Sequence, residues 1–97
     1  MPNYVVLGNY TDKGVQAVKN APDRMAHAAN EVDSLGGRII AIYYTLGQHD
    51  FVGIFEFPND EAMLSFTMRT SQAGNIRFQT LKAFPKDQAV EIIQGLS

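Results

Sequence analysis

The fold turns on the stretch Leu46-Gly47-Gln48-His49-Asp50-Phe51-Val52-Gly53-Ile54-Phe55-Glu56-Phe57 (LGQHDFVGIFEF, residues 46–57). A polar turn over residues 47–50 runs into an apolar segment interrupted only by Glu56. Side chains alternate along an extended chain, so Phe51, Gly53, Phe55 and Phe57 point one way and Val52, Ile54 and Glu56 the other. Both sets are mostly apolar, and such a strand is expected to be covered on both faces. A chain of 97 residues has material for one core and little more. The second cover is therefore expected from a partner.

Upstream of the turn, Arg38 to Thr45 (RIIAIYYT) reads as a strand that is apolar in both parities, and the turn closes a hairpin between it and residues 51–57. Asn3 to Asn9 (NYVVLGN) is a first strand. Thr11 or Asp12 then offers an oxygen to cap a helix, and Val15, Val18, Met25, Ala28, Ala29, Val32 and Leu35 mark its apolar stripe. Pro22 lacks an amide proton and splits this segment into a short and a longer helix. Gly36-Gly37 ends it. Downstream, Pro58 stops the hairpin and Asn59 or Asp60 caps a second helix with Ala62, Met63, Phe66 and Ala73 on its buried stripe. Ile76 to Phe84 is the last strand, and Asp87 to Gln94 a short last helix.

The order is strand, helix, strand, strand, helix, strand. With right-handed crossovers this is an α+β, ferredoxin-like βαββαβ domain over residues 1–97, a four-stranded antiparallel sheet with both helices on one face. The other face is expected to show several of Val5, Leu7, Ile40, Ile42, Val52 and Ile54, depending on register. An exposed patch of that size is unusual on a monomer, and each large apolar side chain covered is worth about 1.5–3 kcal/mol. A homodimer is expected, two-fold pairing being the commonest assembly.

Composition narrows the functional classes. Apolar residues make up 45% and charged residues 19%, and the net charge is -2, so no basic footprint for nucleic acid exists. Cysteine is absent, which excludes disulfides, thiol chemistry and thiolate metal sites. The opening MPNYVVLG lacks a basic region followed by a long apolar stretch, so no signal peptide is expected there, and no segment approaches about 20 apolar residues. A cytoplasmic protein that binds neither membrane nor nucleic acid is expected. The Gly-rich loop pattern after the first strand is missing, Gly8 standing alone before Thr11-Asp12-Lys13-Gly14, so no phosphate-cradling loop is expected.

Few residues are left for chemistry. Asp23, His27 and Glu31 share one helical face, a spacing that reads as a weak metal site or, more simply, as a solvated face of side-chain pairs. His49 and Asp50 lie where a turn meets a buried strand and are the candidates for a catalytic acid or base, against a plain turn role for Asp50. Glu56 needs an escape from burial, either at the strand's exposed end or by pairing with Arg38, Arg77 or Lys82. Tyr43, His49, Asp50, Asn75 and Arg77 form the candidate ligand-binding set, suited to an anionic or carbonyl-bearing molecule. No metal and no cofactor are expected.

The segments LGQHD (46–50), SQAGNIR (71–77), TLKAF (80–84) and the opening YVVLGNYTDKGVQAVK (4–19) resemble the GYD domain family along nearly the whole chain. Gly47 and Asp50 fit its Gly-Tyr-Asp signature, with His49 before the aspartate. The resemblance implies a dimeric α/β barrel, a fold shared by small monooxygenases, isomerases and ligand-sensing domains, and it does not choose among them. The expectation is a small-molecule binding module. The alternatives are a cofactor-free monooxygenase- or isomerase-like enzyme, and an assembly protein without a ligand.

Overall fold

Alternation builds the first strand as expected. In β1 (Asn3–Tyr10), Tyr4, Val6 and Gly8 are buried while Val5, Leu7 and Asn9 face the other way, partly exposed. A computed structural model describes all residues from Met1 to Ser97. It adds β2 (Arg38–Tyr44), β3 (Phe51–Glu56) and β4 (Ile76–Ala83), in the order β2-β3-β1-β4, every pair antiparallel. This is the ferredoxin-like sheet.

Register settles which residues share a face. Val5 stands opposite Ile54 on one side and Leu81 on the other, so these three lie on the face away from the helices. One expectation is corrected here. Ile42 pairs with Gly53 and packs on the core, because the register shifts between Ile39 and Ala41. The extra residue of the bulge, Ile40, is 45% exposed, and it restarts the alternation so that Ile39 and Ile42 both face the helices.

The helices lie where capping chemistry allows. Thr11 Oγ1 accepts the Gly14 amide (3.1 Å) at the start of α1 (Asp12–Gln16). A single 3-10 turn, Val18–Asn20, leads to α2 (Ala21–Ser34), with Pro22 in its first turn where no amide proton is needed. Asn59 Oδ1 accepts the Ala62 amide (2.9 Å) and opens α3 (Asp60–Gln72). Between these helices and the sheet lie Tyr4, Val6, Val32, Phe55, Phe57, Met63 and Phe66, which form the core.

The last helix, α4 (Lys86–Gln94), buries no residue. Ile92, Ile93 and Leu96 are all more than half exposed. The molecule measures 52 × 31 × 18 Å with a radius of gyration of 14.8 Å, above the roughly 12.5 Å usual for this length. No helix is long and apolar enough to cross a membrane.

Candidate functional site

Aromatic residues of the helix-facing strands, with Phe66 of α3, set the floor of a cleft. Gly8 has no side chain, and the Phe51 ring lies over it so closely that a Cβ there would collide with three ring atoms. Phe51 meets Phe78 edge-on (centroids 6.1 Å apart), Phe78 stacks on Phe66 (6.0 Å), and Phe66 tilts against Phe55 (5.5 Å). Above this row, α2 and α3 meet over only a short stretch. The gap between them is a cavity of about 170 Å³. Met25 and Ala28 of α2, Thr70 of α3 and Ile42 of β2 complete its walls.

The cleft also carries polar groups. Tyr10, Arg24, Arg69 and Asn75 line it. Burial, then the neighbouring Tyr44 phenol, pushes the Tyr10 hydroxyl up to about 12, while the Arg24 cation pulls it the other way. The Arg24 guanidinium donates through Nη1 to the Ala17 carbonyl (3.0 Å). Its Nε and Nη2 are shielded from solvent and have no protein acceptor. Both ion pairs of the molecule lie elsewhere, Arg38 with Glu56 (2.6 Å) and Lys82 with Asp60 (3.1 Å). Arg38 is thus the partner that Glu56 takes among the three anticipated.

The structure divides the expected site residues. Asn75 lines the cleft. Tyr43 stands opposite Val52 and Arg77 opposite Asn9, which puts both on the sheet face away from the helices. They belong to the two edge strands, about 14 Å apart at the usual strand spacing, and so are not brought together. Asp50 serves the fold. Its amide donates to the Gly8 carbonyl (2.9 Å) and its Oδ2 accepts the Tyr10 amide (2.8 Å), extending the β1–β3 ladder by a side-chain rung. His49 Nδ1 lies 2.9 Å from Asn9 Oδ1. His27 is exposed at the cleft rim, on the same helix as exposed Asp23 and half-buried Glu31.

Arg24 is the residue that sequence reading passed over. Its signal was present. Ala21, Arg24, Ala28, Val32 and Leu35 follow the three-four spacing of one helix face, so a cation stands inside the apolar stripe. It also stands in the first turn of α2, where the helix dipole disfavours positive charge. Helix stability does not account for it.

Residues 4–93 of the chain match the profile of the family described as GYD domain. A protein of Thermus thermophilus, named glutamine synthetase and cystathionine beta-lyase binding protein, is 29% identical over 86 residues, covering 88% of this chain and 90% of that protein. No solved structure matches at a significant level.

Proposed function

The chain belongs to the GYD domain family, and we propose that it is a small binding protein that takes an apolar organic molecule into the cleft between α2, α3 and the sheet. The observation that carries this reading is the cavity of about 170 Å³ floored by four phenylalanines. A cavity of about 150 Å³ with apolar walls already accommodates a benzene ring, and a mostly apolar pocket with a few polar groups is the usual form of a ligand site. Its output is association with other proteins, a reading supported by the name of the Thermus thermophilus relative, a binding protein for two enzymes. The working unit is a homodimer. Val5, Leu7, Val52 and Ile54 of the open sheet face are only partly covered within one chain, and a second copy excludes water from them.

The neutral probe benzyl alcohol tests the cleft. Its addition is expected to shift the Ala28 methyl and the Phe51, Phe66 and Phe78 ring resonances, with saturation in the millimolar range, about −4 kcal/mol. Ala28→Leu, which fills the cavity, abolishes the response while the fold is kept. Shifts absent in the parent protein, or equal in the filled variant, overturn the reading.

A second reading, catalysis without a cofactor, is favoured by one observation. Asn9 Nδ2 donates to the Gln48 carbonyl (2.6 Å), which turns its Oδ1 toward His49 Nδ1. A proton held on Nδ1 leaves Nε2 free to act as a base. Under the binding reading His49→Gln leaves affinity for benzyl alcohol unchanged, since His49 does not line the cleft.

A further inference from the structure

We infer that the cleft is a carboxylate site, in which Arg24 anchors the head of a small monocarboxylic acid and the phenylalanine floor receives a ring-sized apolar body. This rests on the ligand-binding reading of the cleft given above, and it names the chemical class of the ligand.

The geometry of the guanidinium carries the inference. Nε and Nη2 form one edge of the planar group, two parallel N–H donors in the fork that matches the two oxygens of a carboxylate. It is this edge that has no acceptor in the protein and no access to solvent. The third nitrogen is engaged with the Ala17 carbonyl, which holds the plane of the group; the fork is shielded, so an anion reaches it as the side chains over it give way. Two shielded donors left unmet on a cation are costly, and neither the helix nor an ion pair accounts for them. An anion delivered to the cleft supplies both missing acceptors and the missing charge.

The rest of the site fixes which anion. Arg24 is the one cation there with shielded donors, Arg69 and His27 being exposed. Arg24 and Arg69 are positive and Glu31 negative along the cleft, a net charge of one, so a single negative charge is balanced and a phosphate dianion is not. Tyr10 remains a neutral phenol below about pH 12 and adds no competing charge in the physiological range. The remaining wall is aromatic and aliphatic, which suits a compact hydrophobic tail of about a ring's volume. Benzoate and phenylacetate meet these requirements. Inorganic phosphate and acetate each lack one of them.

Isothermal titration and side-chain amide spectra decide the matter, with phenylacetate, acetate, inorganic phosphate and neutral benzyl alcohol as probes. Phenylacetate is expected to bind at least tenfold more tightly than either benzyl alcohol or acetate, and to shift the Nε–H resonance of Arg24 more than those of Arg38, Arg69 and Arg77. Arg24→Met is expected to lose that tenfold preference while keeping benzyl alcohol. Arg24→Lys keeps the charge but not the fork, and its preference falls between the two. The Nε–H shift is read in the unmodified protein, so the test survives a variant that fails to fold. Benzyl alcohol binding without a phenylacetate preference, or a preference unchanged in Arg24→Met, overturns the carboxylate assignment and leaves the cleft as a ligand site. Tighter binding of phosphate overturns it as well. If no aromatic probe binds at all, the underlying ligand-binding reading falls with it.

Discussion

Among single residues, Tyr4 and Asp60 form the polar contact with the clearest energetic signature. The buried Tyr4 hydroxyl donates to Asp60 Oδ1 (2.5 Å), and Lys82 Nζ approaches the same carboxylate at 3.1 Å. The Tyr4 bond, then that of Lys82, holds the Asp60 carboxyl below its ordinary 3.8. A carboxyl with a lowered folded-state value contributes stability above its unfolded value, and loses it as pH falls through the folded one. Asp60→Asn is therefore expected to flatten the decline in melting temperature below about pH 4, measured by thermal denaturation across pH 2–6. Tyr4 has the opposite sign. Burial, then Asp60, pushes it up to about 12, so its contribution is complete below pH 10 and is lost as the pH rises toward 12. Tyr4→Phe removes that alkaline step, and absorbance of the phenolate gives the check. An alkaline transition identical in Tyr4→Phe rejects the assignment.

Elements differ in how firmly they are held. The β2–β3 hairpin is fastened to β1 through Asp50, and α2 and α3 bury Val32, Met63 and Phe66. By contrast α4 buries nothing. Ending the chain before Lys86 removes no fully buried side chain, so the change in stability is expected to stay near about 0.5 kcal/mol, as is usual for surface changes. The melting temperature of the shortened chain is expected to stay within about 4 °C of the full one. A larger drop in calorimetry places α4 inside the cooperative unit. The bulge in β2 shows where element-level reading ran out. RIIAIYYT is apolar at nearly every position, so its pattern carries no information on phase, and one extra residue sent Ile42 to the helix side.

The whole molecule is a single sheet with one face clothed by α2 and α3. Val5, Leu7, Ile54 and Leu81 on the opposite face, with Tyr43 63% exposed at its edge, form the surface assigned to a second copy. Light scattering on the purified chain is expected to give about twice 10.7 kDa, and Leu7→Glu to return the mass to that of one chain. A single-chain mass for the parent protein at micromolar concentration rejects the dimer. Aromatic rings from three strands and a helix meet at the cleft between the layers, and so the site is a property of the assembled body.

The βαββαβ order, both helix caps, the break at Pro22 and the apolar character of both sheet faces were legible in the chain before any fold was known. Each of these follows from local chemistry: side-chain alternation, the missing amide of proline, and oxygens placed to accept helix amides. The cleft required the folded body. Tyr43 and Arg77, expected to converge, lie on opposite edge strands because β3 and β1 are inserted between them, and no local pattern encodes strand order. The stripe spacing marks Arg24 in the sequence, but its unmet donors became visible only once α2 was laid on the sheet, since whether a cation in an apolar stripe meets an acceptor depends on groups far away in the chain.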